Sequence, residues 1–376
     1  MSSVIASDRT RRGERLLAGA RDGLTLLGPV LVVYLAVYLA ALSGGFGSVQ
    51  ARYALVNLVI VVGLQLFVGN SGVLSFGHIA FVGVGAWTVG LLTIDPVLKR
   101  NLLPDLFQVL AQAHLGTPVA LLTAALAGAV LAALVGPVLL RLNGLQAGIA
   151  SFAVLLVVNQ VLTYWTKISP PSGQSMVGVP DDLSLQSVLL LALASIAVSW
   201  LYQRTRSARM LRASRENLIA APASGINVTL HRVIAFVVSG ALCGLGGGLW
   251  AETNRVLQAS QLSVGMTFTI VAMLVLGGQL SIWGGVIGTV VYSVLDAVLQ
   301  QLQTGVVLGS VTVHIPAGSR PIALGALLVV MLLFRPDGIT RGREFGLPRR
   351  RPDRSPVPPV PGSAGRAGDE AEGTPS

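Results

Sequence analysis

Apolar runs of near-membrane length, repeated along the chain with almost no charge inside them, restrict the fold more than any other feature of this sequence. A bilayer core about 30 Å thick takes about 20 helical residues to cross. Ten stretches approach that length: 24–42, 53–69, 79–94, 118–140, 145–165, 185–202, 233–250, 266–279, 284–302 and 320–334. The third, eighth and tenth are short. With 53% hydrophobic and only 11% charged residues in 376, the chain lacks the polar surface of a water-soluble domain, in which about a quarter of residues are charged. The expected fold is all-α, a polytopic membrane helical bundle of about ten transmembrane helices.

The net charge of +10 is not gathered on one domain but recurs between apolar runs. Such residues set topology and meet anionic lipid, so lipid rather than nucleic acid is the expected partner. With the N-terminus inside, the inner segments 1–23, 70–78, 141–144, 203–232, 280–283 and 335–376 carry 20 of the 26 Lys and Arg. Both N and C termini are therefore expected in the cytoplasm. The basic N-terminus 1–23 leads into Leu24–Leu42 without a small-x-small cleavage site, which reads as a retained anchor. A transmembrane domain would occupy 24–334, and the proline-rich, basic tail 335–376 reads as disordered.

Chemistry is sparse. There is no Gly-Lys pair, hence no phosphate loop, and no ATPase chemistry belongs to this chain. His78, His114, His231 and His314 fall in four separate connections, where each is expected to be solvated or interfacial, and no metal site is expected. The lone Cys243 reads as a small packing residue, and Asp181-Asp182 as a turn or cap. With no paired acid or nucleophile–base set in the spans, the chain is not expected to be an enzyme. Asp296 stands out as the one ionisable residue in mid-span. Such a carboxylate costs about 2.5–3.5 kcal/mol on insertion scales and should face a partner or water. Asn57, Gln65, Asn159 and Gln160 are further polar residues in apolar runs, either lining a path or bonding between helices. Gly240, Gly244 and Gly248, and again Gly284 and Gly288, recur at a spacing of four, which permits close helix packing and, in a moving protein, sliding during gating.

The segment 203–232 is a polar island carrying Arg204, Arg206, Arg209, Arg212, Arg215 and Arg232 against the single acid Glu216. Residues 208–221 are good helix formers, and Gly225-Ile226-Asn227 breaks the pattern. Ala220, Ala221 and Gly225 offer a small face flanked by Glu216 and arginines. It suits docking into a cleft of a soluble partner or, alternatively, lying on lipid. Two glycine-rich breaks, near 69–78 and 277–285, interrupt the apolar pattern and are candidates for re-entrant backbone. Their sequences echo one another, Gly72-Val73-Leu74-Ser75-Phe76-Gly77 against Gly278-Gln279-Leu280-Ser281-Ile282-Trp283-Gly284, as a repeat in a transporter would.

These pieces taken in order, Gly63 to His78, Arg215-Glu216-Asn217 with Ala220-Ala221 and Gly225-Ile226-Asn227, Leu276-Gly277-Gly278 with Ser281 to Gly284, and Phe334-Arg335-Pro336-Asp337-Gly338, resemble the LivM-type permease subunits of branched-chain amino acid ABC importers. The resemblance implies a second permease subunit, two cytoplasmic ABC ATPase subunits and an extracytoplasmic solute-binding protein. ATP would sit on the ATPases, with no cofactor on this chain. It further implies that Arg212, Arg215, Glu216, Ala220, Ala221 and Gly225 meet the ATPase, and that Gly77 belongs with the packing and gating glycines. Pro222 departs from the family pattern and should kink or end the helix. The expected cargo is a branched-chain or other hydrophobic amino acid. The alternatives are a urea or amide, sugar or nucleoside ABC permease, or a stand-alone secondary carrier using Asp296.

Overall fold

The structure, a computed structural model, describes residues 25–42, 44–171, 174–217, 220–304, 306–308, 311–313, 316, 318–335 and 337–341. The basic N-terminus, His314 and nearly all of the tail lie outside these residues. Fourteen α-helices are described: α1 (Thr25–Leu42), α2 (Gly45–Ser71), α3 (His78–Thr93), α4 (Pro96–Leu102), α5 (Gln108–Gln112), α6 (Thr117–Leu139), α7 (Gly144–Tyr164), α8 (Leu185–Gln203), α9 (Arg206–Glu216), α10 (Ala220–Ala223), α11 (Val228–Asn254), α12 (Val264–Gly277), α13 (Ile282–Thr304) and α14 (Ser319–Phe334). Two short antiparallel pairs join β1 (Met176–Val177) to β2 (Val256–Leu257) and β3 (Val306–Leu308) to β4 (Val311–Val313).

Among the described residues, eight helical segments are long and apolar enough to cross a membrane, and the protein is a multi-pass membrane protein. Every expected span has a helix at its place, but two differ from a plain crossing. The third is the 16-residue α3, which turns by 120° into α4 across a break at Asp95. Pro96 cannot continue α3, and the Asp95 side chain accepts from Val97 N at 2.8 Å to start the new helix. The tenth, α14, is also only 16 residues long.

α2 lies at the centre, with 78% of its most apolar window buried, and α1 at the periphery with 11%. α11 packs against α2, α3 and α6. The reason is legible on α6: Ala120, Ala124, Gly128, Ala132 and Gly136 are spaced by four and buried, forming a smooth stripe that meets Gly240, Gly244 and Gly248 of α11. A Cβ at Gly240 would stand 2.6 Å from that of Ala132, and one at Gly244 would overlap the Ala124 carbonyl. Lipid offers helices no hydrophobic drive to associate, so close backbone packing of this kind takes its place. The other side of α6 carries Leu122, Leu126, Val130, Leu134 and Val138, all exposed at the same spacing, as a lipid-facing surface requires. Gly284 and Gly288 bring α13 equally close to the backbone of α12, and Gly77 abuts the Ser151 carbonyl of α7.

The two glycine-rich breaks are alike in structure. α2 ends at Gly72 (φ +69°), whose N–H bonds Val68 O, and α12 ends at Gly278 (φ +114°), whose N–H bonds Leu274 O. In each case a few non-helical residues follow before the next helix begins, at His78 and at Ile282.

Candidate coupling surface and solute cavity

Thr205 starts α9 by accepting from Ala208 N at 3.2 Å. One face of the helix, Ala208, Leu211 and Ser214, is buried against the bundle, while Arg206, Arg209, Met210, Ala213 and Glu216 are exposed. The expected helix through Ala221 is interrupted, but at Asn217 rather than at Pro222. Asn217 adopts an extended conformation (φ −150°, ψ 104°), and its side chain caps the next short helix by accepting from Ala220 N at 3.0 Å. Pro222 sits inside α10, in a first turn that needs no N–H from it. Gly225 (φ +79°) turns the chain, and Asn227 caps α11 through Leu230 N at 3.0 Å.

Of the six residues expected to meet an ATPase, Glu216, Ala220 and Gly225 face outward, whereas Ala221 is buried. Arg212 and Arg215 turn inward. Arg215 Nη1 donates to Gly69 O at 2.9 Å, and Arg212 donates to Asn70 Oδ1 at 3.3 Å and to Gln203 O at 2.8 Å. Cations are favoured there by the carbonyl end of α2. Arg232, inside α11 and 3% exposed, donates to Asn143 Oδ1 at 2.7 Å, fixing the α6–α7 turn.

The second break is covered differently. Ile339 N donates to Leu276 O at 2.9 Å, and Thr340 donates to Gly277 O through both its N (3.0 Å) and its Oγ1 (2.8 Å). Gly338 (φ +73°) lies so close that a Cβ there would be 2.6 Å from Gly278 N.

At the opposite end of the bundle lies a cavity of about 870 Å³ between α2, α11, α12, α13 and α14. Gln50, Tyr53, Asn57, Asn254, Gln261 and Gln300 line it with amides and a phenol, together with Trp250, Phe268 and several aliphatic side chains. Asp296 is on its wall, and Arg320 of α14 grips both carboxylate oxygens. Gln50 donates to Gln300, tying α2 to α13.

The polar residues singled out from the sequence thus separate. Asn57 and Asp296 line the cavity. Gln65 does not: it is 1% exposed deep in the bundle, with Ser199 donating to its Oε1 at 3.4 Å. Asn159 spans two carbonyls, Ala259 O at 2.7 Å and Leu262 O at 3.2 Å, and holds α7 to the turn before α12.

Several readings of the sequence are corrected by position. His78 is neither solvated nor interfacial but 2% exposed, among Phe67, Phe81 and Phe236. Ser239 Oγ donates to Gly63 O at 2.7 Å and so accepts from His78 Nε2, also at 2.7 Å, leaving Nδ1 to accept from Ser75 at 2.9 Å. Asp181 is more than a turn residue, since Arg52 of α2 and Arg255 beyond α11 both pair with it. Besides Asp296 in the middle of α13, ionisable residues also occur near the ends of the long helices, since α11 contains Arg232 and the buried Glu252. Glu252 went unnoticed because the apolar run ends at Trp250, a turn short of the helix end. Among the described residues no three His, Cys, Asp or Glu gather as a metal-holding group.

Residues 50–334 match the family described as branched-chain amino acid transport system, permease component. The chain is also similar to curated relatives named autoinducer 2 import system permease protein LsrC. That of Salmonella typhi is 27% identical over 354 residues, covering 92% of this chain and 94% of the relative. That of Escherichia coli O157:H7 is 28% identical over 281 residues, covering 71% and 78%.

Proposed function

This chain belongs to the branched-chain amino acid transport system permease family, and on that premise we propose that it is the membrane subunit of an ATP-driven importer whose solute is small, neutral and of the sugar class. It is an ABC-type permease component, a transport subunit that works with ATPase and substrate-binding partners. One observation carries the reading: the exposed face of α9 and α10 and the polar cavity stand at opposite ends of the same bundle. Arginine-rich loops stay inside, so the α9 end is cytoplasmic and the cavity opens outward, where a binding protein delivers solute.

The cargo departs from the amino acid expected from the sequence. A free amino acid brings a carboxylate and an ammonium group, each needing a partner. Among the described residues, the cation and anion of the α13–α14 wall, Arg320 and Asp296, already satisfy each other. Around them the lining is neutral and polar, the amides of Asn57 and Gln261 with the Gln50–Gln300 pair and Asn254, beside the aromatic side chains of Tyr53, Trp250 and Phe268, a chemistry suited to hydroxyl-rich solutes. The names of the two relatives concern autoinducer 2 import, not amino acid uptake. The Asp296–Arg320 pair also disfavours a stand-alone carrier, since the guanidinium already engages both carboxylate oxygens and would compete there with sodium or a proton.

A second, related permease subunit and two ATPases complete the proposed complex, with ATP bound on the ATPases. The test is uptake by the reconstituted complex, with labelled neutral sugars set against labelled leucine, with and without ATP. Sugar accumulation that needs ATP is expected. Uptake of leucine alone overturns the cargo, and accumulation without ATP overturns the permease role.

A further inference from the structure

α2 joins the two ends of the bundle in a single piece. Its 27 residues make a rod about 40 Å long at 1.5 Å per residue. Near its start, Gln50, Tyr53 and Asn57 line the cavity. At its other end, helix geometry leaves the carbonyls from Val68 onward without partners inside the helix. Val68 O accepts from Gly72 N of the cap (2.9 Å), and one turn back Asn70 Nδ2 and Ser71 Oγ add side-chain bonds to Leu66 O and Phe67 O (2.7 Å each). Those three partners belong to α2 or its cap. Gly69 O is served from another element, by Arg215 of α9.

The contact is shaped for that arginine. At Gly72 a Cβ would stand 2.7 Å from both Cγ and Cδ of Arg215, so only glycine lets the side chain lie across the helix end. Arg212, one turn earlier, reaches Asn70 of the same end and the last residue of α8. Beyond Gly72 the backbone is non-helical to Gly77, which separates the rod from α3. Gly69 also abuts the second break, a Cβ there falling 2.8 Å from Gln279 O.

We infer that Arg215, seconded by Arg212, is the positioning residue through which displacement of the α9–α10 surface reaches the solute cavity, with α2 as the transmitting rod and 72–77 as its hinge. The inference rests on the permease reading above. The partner pushes on the outward residues around Glu216 and Ala220. α9 moves as a rigid helix, and its arginines carry the carbonyl end of α2 with it. A ligand or partner shifts such an equilibrium only through contacts that differ between the two states, and the latch supplies a contact between the driven element and the responding one.

The experiment uses the whole reconstituted complex. The chain's one cysteine, Cys243, is buried, so Tyr53→Cys supplies an accessible thiol at the cavity, and its labelling rate by a membrane-impermeant maleimide is followed with and without ATP and vanadate. With the native latch the rate should change severalfold on adding nucleotide. In Arg215→Ala that response should vanish while ATP hydrolysis continues, and Arg215→Lys, which keeps one donor, should restore part of it. Asn70→Ala cuts the second tie from the α2 side and should weaken the response without altering α9. An unchanged response in Arg215→Ala overturns the inference. If that variant loses ATP hydrolysis outright, Asn70→Ala decides, and a full response there overturns it as well. A native complex whose labelling ignores nucleotide would instead count against the permease reading itself.

Discussion

Gly244 illustrates how much of this fold is decided by the absence of a side chain. A methyl group there would overlap the Ala124 carbonyl, whereas one at Gly265 meets nothing within 4 Å. Gly244→Ala should therefore destabilise the protein by about 1–3 kcal/mol, the usual cost of overpacking, and Gly265→Ala should be nearly silent. Thermal unfolding of the two variants in detergent checks the contrast, and equal midpoints would dismiss it. The spacing of these glycines is readable in the sequence because period four is itself the packing signal. The burial of His78 is not. Its two hydroxyl partners come from Ser75, three residues away, and Ser239, 161 residues away, and only the fold brings the second one near. The inward turn of Arg212 and Arg215 was hidden for a similar reason, since a basic helix does not announce which face the bundle will claim.

At the level of elements, long apolar runs translate directly into helices because nothing but span length and hydropathy is needed. α3 is the exception that composition cannot reveal: the run is apolar enough, yet Asp95-Pro96 turns it by 120°. The break after α9 was misplaced for a related reason. Proline is the loudest helix breaker in a sequence, but in a first turn its missing N–H is not needed, and Asn217 ends the helix instead. The division of α9 into an inward and an outward face leads to separable effects. Glu216→Lys alters an exposed side chain (77% accessible) that pairs with Arg215 at 3.4 Å; an exposed pair is worth little, so the change should barely affect folding while lowering the ATP hydrolysis of the complex stimulated by the binding protein. Matched unfolding midpoints with reduced hydrolysis are the expected result, and unchanged hydrolysis removes Glu216 from the contact.

For the whole molecule, the two glycine breaks divide one design between different keepers. The first is held by the arginines of α9, the second by the strap 338–341 returning from α14. Thr340→Val removes the hydroxyl bond to Gly277 O and should cost about 0.5–1.5 kcal/mol, seen as a lower midpoint in detergent and faster proteolysis near 278–281. An unaltered cleavage pattern would show that the strap does not brace this turn. The strap lies at the far end of the chain order. A growing polypeptide can insert α2 and receive its arginine clasp well before synthesis finishes, but the α12–α13 corner must wait for Thr340 to leave the ribosome. The second half of the bundle is therefore the last to become rigid, and a chain broken off before Gly338 would keep the described helices yet leave that one corner unfastened.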